Sequence, residues 1–486
     1  MIRLLLPMDT QKSKNARSIE LLGKKWVICE YADVADAPTY TCISYAWGLE
    51  TVENPFYDGQ LMSARTIPVL EAAFSASHSA QNWSENIRFD YKKDAQKEKE
   101  GRDAALSATQ AIWIDALSVP PQEPTRTACL QSMGQIYSAA HQVLVVLDKQ
   151  CSKVIQSISK GEKIETAALL SLEKESWVSR AWTYQEAVNS RTLYFIFEEE
   201  NSAIIAGQDF LKAVGDAIEE FKNLRGYDKI SWTQHHASLE GLENLVADYL
   251  IFSYAQRSAY HVMSVVCQRT AERPEDQFYA MVGSITTKAP KILNAETLLP
   301  SEYFMGVCER KGDFSFIYNT AKRSPVLGQH WRPVDEQFFA VLPGLITFGD
   351  GQKGQRHSTH LALTNMHQLV PGAINPDGLK AARWFMGANR EDLSPEETAS
   401  GVLKRMRALG FTGSGDYQEY ETGFFFPQTK PSDPGNLTAS ISCGLNWVTG
   451  GPGLLLEEND LDVKGFRDVG AFVGRSPKSG LPINVR

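Results

Sequence analysis

The 486-residue chain lacks the features that announce most common chemistries. No run of about 18 apolar residues occurs, so no helical membrane span is expected. The opening, Met1 to Pro7, carries one Arg and a short apolar run closed by Pro7, too little for a secretory leader. Basic residues number 49 against 58 acidic ones, a formal net charge of -9, and no long basic run is present. This argues against a nucleic-acid partner. In the densest charged stretch, Tyr91 to Asp103, Lys and Glu are interspersed, which reads as a solvated segment. The seven cysteines, Cys29, Cys42, Cys129, Cys151, Cys267, Cys308 and Cys443, are scattered and form no CxxC pair. They read as reduced thiols of a cytoplasmic protein. They and the nine histidines give no metal-ligand spacing. There is no Walker P-loop, no HExxH, no GxSxG and no internal repeat. His235-His236 reads as a solvated turn, and Gly413-Ser414-Gly415 and Gly450 to Gly453 as loops.

What is present is ordinary globular material, 43% hydrophobic and 22% charged. At roughly 100–200 residues per domain, the length fits two or three domains. Residues 41–46 (TCISYA) form a β-type run ending at Trp47-Gly48. Thr66 to Ala76 places Ile67, Leu70, Ala73 and Phe74 on one helical face. Residues 84–108 are polar and charged and read as an exposed surface insertion. Ala111 to Ile114 is an apolar strand closing on Asp115, and Thr127 to Ala140 is helical. Val143 to Leu147 is a continuous apolar run suited to a parallel strand buried on both faces. A helix over Ser179 to Asn189 and a strand over Thr192 to Phe197 follow. This alternation is that of a doubly wound parallel sheet in an α/β domain.

From Asp209 to Val266 the pattern is mainly helical, with Phe210, Leu211, Val214, Ile218 and Phe221 as an amphipathic stripe. Further on, Phe338 to Thr347 and Gly423 to Phe426 read as strands. Pro395 to Leu409 reads as a helix capped by Ser394. Frequent Gly and Pro near 343–376 and 431–453 predict long loops. The expected organisation is a domain over 1–205 carrying the 84–108 insertion, a helical extension over 206–290, and an α+β region over 291–486.

Ligands of open α/β sheets bind outside the carboxyl ends of the strands. Ser44, Tyr45, Trp47 and Gly48 fall at the end of the first strand of this alternation, and Asp115 at the end of the second. Trp182 and Glu186, four residues apart, share one face of the helix after the third. The plain structural reading makes the aromatics core, Asp115 a cap and Glu186 a surface acid.

Separated blocks resemble the heterokaryon incompatibility (HET) family of fungi. They are Ile2-Arg3-Leu4-Leu5 with Pro7, YTCISYAWG at 40–48, AIWIDALSVPPQ at 111–122 followed by SMGQIYSAAHQVLVVL at 132–147, and SRAWTYQEA at 179–187. RPEDQFYAMVG at 273–283 is similar to a segment that often follows the family's core. The blocks keep the family's order and cover about the first 285 residues. Ser118 and Pro120 stand where the family usually has Cys and Asn, Pro121 stiffens the same loop, and the 84–108 insertion is long.

HET domains are in turn similar to Toll/interleukin receptor (TIR) domains. SYAWG looks like the end of the first TIR strand, and SRAWTYQEAV looks like a TIR segment leading to an acid on the next helix. In enzymatic TIR domains that acid supports cleavage of the nicotinamide glycosidic bond of NAD, and Glu186 stands at the matching position. The resemblance implies a TIR-like sheet and a role in self/non-self recognition and programmed cell death. It implies NAD as the substrate, a small-molecule nucleotide, and no required cofactor. Glu186 would be catalytic, with Ser44, Tyr45, Trp47, Gly48, Asp115 and Trp182 binding the nucleotide. Three readings stand open: an NAD-consuming cell-death effector centred on Glu186, a non-catalytic module assembling as a homo-oligomer or with a signalling partner protein, and a HET-like scaffold repurposed for a biosynthetic small-molecule reaction.

Overall fold

A computed structural model describes residues 1–8, 17–21, 23–78, 111–250, 257–286, 298–335, 337–387, 392–431, 436–458, 463–477 and 479–486. The 84–108 insertion lies outside the described residues. Two compact units are defined, Met1–Ile251 with Thr286–Ala289, and Phe252–Ile285 with Pro290–Arg486. The helical stretch after residue 206 is therefore divided between units, a different partition from 1–205, 206–290 and 291–486.

The first unit opens with β1 (Ile2–Pro7), β2 (Ser18–Leu21), β3 (Lys24–Tyr31) and β4 (Tyr40–Tyr45). A small hairpin, β5 (Thr51–Glu53) and β6 (Leu61–Ser63), leads to α1 (Thr66–Ser75) and β7 (Ser77–His78). Then come β8 (Ala111–Ile114), α2 (Asp115–Ser118), α3 (Thr125–Gln131), α4 (Met133–Ala139) and β9 (Gln142–Leu147). They are followed by α5 (Ser152–Ser159), α6 (Thr166–Glu173), α7 (Ser176–Ser179) and α8 (Ala181–Val188). The unit ends with β10 (Leu193–Phe197), β11 (Ala203–Ala206), α9 (Gly207–Arg225), α10 (Lys229–His235) and α11 (Ala237–Leu250).

One sheet runs β2-β3-β1-β8-β4-β9-β10-β11-β7. At its centre β8, β4, β9 and β10 are mutually parallel, in the places the alternation predicts. Every residue of these four strands is buried, which explains their largely apolar character, with Thr41, Ser44 and Gln142 as buried polar exceptions. The sheet is mixed, not purely parallel: β1 and β11 pair antiparallel with β8 and β10, and the apolar opening of the chain is a strand. Ile43, Tyr45, Ile112, Ile114, Leu144 and Val146 cluster with Val69, Leu70 and Ala73 of α1 on one face. On the other, Phe195 stacks on Phe210 of α9 with centroids 3.9 Å apart, and Trp113 meets Tyr137 of α4 edge-on at 5.3 Å. After β4 the chain passes through α1 to β7 at the far edge of the sheet, and after β8 it passes through α2 to α4 and into β9 on the other side of β4. Helix α1 packs on one face of the sheet and α4 on the other. The carboxyl end of β4 is thus a switch point, where loops of opposite faces part.

The second unit holds α12 (Ala259–Val266), α13 (Pro274–Ile285), α14 (Pro300–Lys311), α15 (Pro376–Met386) and α16 (Pro395–Ala408). Its strands are β12 (Gly354–Arg356), β13 (Leu361–Gln368), β14 (Gln418–Tyr420), β15 (Gly423–Pro427), β16 (Leu437–Ser442), β17 (Gly451–Glu457), β18 (Gly465–Gly474) and β19 (Leu481–Val485). They pair antiparallel in the order β12-β13-β16-β17-β18-β15-β14, with β19 beside β13. Ser394 caps α16 through a reciprocal bond with Glu397, as its sequence predicts. Buried Asp313 accepts the backbone N–H groups of Ala259 (2.6 Å), Ser315 (3.0 Å) and Gln352 (3.2 Å), tying three segments together.

Two expectations for this unit are corrected. Phe338 to Thr347 is not a strand: Phe338, Val341 and Leu342 are buried, but Pro343-Gly344 turns the chain before a ladder can extend. The Gly- and Pro-rich stretches are not simply loops. β12 and β13 cross the first, and β16 and the start of β17 the second; in β13 and β16 alternating apolar residues such as Leu361/Leu363 and Ala439/Ile441 outweigh the nearby turn residues.

Candidate active site

Ser44 and Tyr45 are consecutive in β4 and so point to opposite faces. The phenol of Tyr45 lies in the α1-side core, and its hydroxyl shares a 2.8 Å hydrogen bond with Thr66 at the start of α1. Burial, reinforced by the Asp115 charge, holds that phenol well above its usual pKa. Tyr45 is therefore separated from Ser44 by the sheet, and the plain core reading fits it.

Ser44 points to the α8 side. Its hydroxyl donates to Glu186 Oε2 at 2.5 Å and accepts the indole N–H of Trp177 at 2.7 Å. Glu186 is also hydrogen-bonded by the Tyr137 side chain. With 6% of its surface exposed, it is a buried carboxyl and not the surface acid of the plain reading. Burial raises its pKa to about 8; the Asp115 charge acts in the same direction, while the Ser44 bond, Arg180 and Tyr137 oppose it. At neutral pH most of its population holds a proton.

A half-buried layer completes the carboxyl end of the sheet. Trp47 donates its indole N–H to Asp115 Oδ2 at 2.9 Å, and Asp115 Oδ1 accepts the N–H of Ala116 at 2.6 Å. Gly48 donates its backbone N–H to Ser63 at 3.2 Å, and a Cβ there would stand 3.2 Å from the Arg65 stem. Arg65 binds the Ala46 carbonyl at 2.9 Å and Glu198 at 2.6 Å, pinning the end of β4 to the end of β10. Asn54 reaches the Ala116 carbonyl at 2.8 Å, which ties the segment between β4 and α1 to α2, directly after β8.

The structure therefore joins Ser44 to Glu186 and Trp47 to Asp115, and couples the two acids electrostatically. Trp182 is half-buried and stands outside this hydrogen-bond network among the described residues. Two surface cavities, one along α9 beside Asp216 and Glu220 and one in the second unit beside Asp335 and Phe339, include none of these residues. Among the described residues, no cluster of three metal-ligating side chains occurs and no helix is long and apolar enough to cross a membrane.

Sequence reasoning missed Trp177, Tyr137, Glu175 and Arg65. Glu175 is buried, and it accepts the backbone N–H groups of Asp148 (2.8 Å) and Trp177 (3.0 Å). An acid two residues before a Trp at a helix start is the one local sign of this arrangement.

With this geometry in place, the comparison with known proteins adds a family. The family model described as Heterokaryon incompatibility protein (HET) matches residues 40–186, from the first residue of β4 to Glu186 itself. That segment of the chain is a HET segment. No curated protein and no solved structure matches the chain.

Proposed function

We propose that this chain is a cytoplasmic fungal incompatibility factor that drives self/non-self cell death by hydrolysing NAD. The observation carrying this reading is Glu186, a buried carboxyl held by Ser44 of β4 and coupled electrostatically to Asp115, which in turn accepts the Trp47 indole N–H. The likeness of SYAWG and SRAWTYQEAV to TIR segments supplies the choice of NAD.

In the proposed step the ribose–nicotinamide bond breaks and its electron pair leaves with neutral nicotinamide. Positive charge builds on the ribose carbon, as in other glycoside hydrolyses. Ionised Glu186 stabilises that charge. Water adds to the carbon and loses a proton, giving ADP-ribose, nicotinamide and H⁺. Nicotinamide is already a good leaving group, so no second carboxyl is required as an acid. In this reading half-buried Trp47 and Trp182 wall the bases. Since only the ionised form of Glu186 opposes a cation, turnover rises with pH through about 8.

The test is nicotinamide release from NAD by the purified full chain. Wild type is expected to release it, and Glu186→Gln to lose about 10²–10³ in rate at unchanged fold. The burial of Glu186 favours a second reading, a HET segment that signals by assembling with copies of itself or with a partner protein. No release from concentrated wild type selects that reading.

A further inference from the structure

We propose that Trp177 is a positioning residue that commits the single proton of the Ser44 hydroxyl to Glu186, and that Glu175 holds Trp177 in place to do so. The inference rests on reading Glu186 as the reacting carboxyl. A serine hydroxyl has one proton and two acceptor sites, and its proton rotates toward whichever acceptor is on offer. At Ser44 the indole N–H of Trp177 lies 2.7 Å from the oxygen. An indole only donates, so it occupies a lone pair and forbids the proton that direction. Glu186 Oε2, at 2.5 Å, receives the proton. Ser44 is 1% exposed and Trp177 1%, so water does not compete.

The indole is set by its own backbone. Glu175, 4% exposed, accepts the N–H of Trp177 at 3.0 Å and that of Asp148, just past β9, at 2.8 Å. It thereby ties α7 to the end of a central strand. The Trp177 ring also packs edge-on against Phe195 of β10, with centroids 5.6 Å apart. The chain of contacts runs Glu175, Trp177, Ser44, Glu186 and crosses β9, α7, β4 and α8. Donors chained in one direction polarise one another, so the indole strengthens the bond that Ser44 makes. A hydrogen bond to the charged form favours it, and the Ser44 bond lowers the Glu186 pKa against the larger effect of burial. This arrangement makes Ser44 a donor to Glu186 and not a nucleophile activated by it.

The test is a carboxyl-carbon NMR titration of the full chain labelled at glutamate, with Glu186→Gln identifying the resonance. Trp177→Phe keeps a ring and removes the N–H. Its Glu186 midpoint is expected to rise by a few tenths of a pH unit, the roughly 10–30% that a polarising donor adds to a hydrogen bond to a charged group worth about 1–2 units. Ser44→Ala should raise it at least as far, and Trp177→Phe added to Ser44→Ala should raise it no further, since the effect passes through the hydroxyl. In wild type, the Trp177 indole N–H resonance should titrate with the Glu186 midpoint and stop doing so in Glu186→Gln, a measurement that needs no folded Trp177 variant. An unmoved midpoint in Trp177→Phe, additive shifts in the double variant, or an indole resonance indifferent to Glu186 each overturn the assignment. None of these readouts uses NAD, so absence of turnover refutes the hydrolase reading while leaving the titration to decide the positioning role.

Discussion

Replacing Glu186 by Gln isolates the cost of its charge, because Gln keeps the shape of the protonated side chain. Glu186 has a pKa of about 8 in the folded chain against an ordinary 4.5. Between those values the folded state holds a proton that the unfolded chain has released. Stability therefore falls as pH rises through this window, by at most about 1.4 kcal/mol per unit. From about pH 5 to about pH 8 the loss amounts to roughly 3 kcal/mol. Above that window both states are ionised and the cost stays constant; below it both are protonated and the cost vanishes. The Gln variant has no such slope. Its amide must also donate where the carboxylate accepted, at Ser44 or Tyr137, which adds a pH-independent offset of about 1 kcal/mol.

Urea unfolding of the first unit, followed across this pH range for both proteins, reads the difference directly, and other titrating groups cancel in it. Glu186→Gln should gain on wild type steadily with pH, ending roughly 3 kcal/mol better relative to its acid value. Parallel pH curves would show that the carboxyl is not desolvated as described. A variant that loses ground as pH rises would mean that Glu186 is ionised and stabilising in the fold.

Other substitutions test neighbouring contacts. Tyr45→Phe removes the hydroxyl shared with Thr66 and should lower stability by about 1 kcal/mol, with an unchanged melting temperature refuting the contact. Fully buried Trp177 and half-buried Trp182 should respond unequally to alanine, roughly 3–5 kcal/mol for Trp177 and clearly less for Trp182; equal losses in chemical unfolding would put both in the core. Asp313→Ala strips the acceptor from three backbone N–H groups and should destabilise the second unit by about 3 kcal/mol or more, which a denaturant midpoint of that unit checks.

The central strands were legible because each is buried on both faces and reads as a mainly apolar run, uninterrupted in Val143 to Leu147. The order of these strands, and hence the position of the switch point beside Ser44, follows from long-range strand pairing that no local window contains. Ser44, Asp115 and Glu186 could be placed at strand ends and on a helix, but their surroundings could not. Helix α8 shows why. Its polar Thr183, Gln185 and Glu186 suggest a solvated side, yet all three are buried, because α4, α11 and β4 pack around the helix. A helix covered on several sides has no stripe to reveal which polar residue meets which partner. The same holds for Trp177, which is 133 positions from Ser44 in the chain and belongs to a different helix from Glu186. Its partnership with Ser44 exists only once β4 and β9 pair and Glu175 anchors α7 to the end of β9. A buried carboxyl that accepts from donors of two separate segments, Ser44 and Tyr137, is a product of tertiary closure, so its protonation state reports on the assembled sheet and not on the residues beside it in sequence.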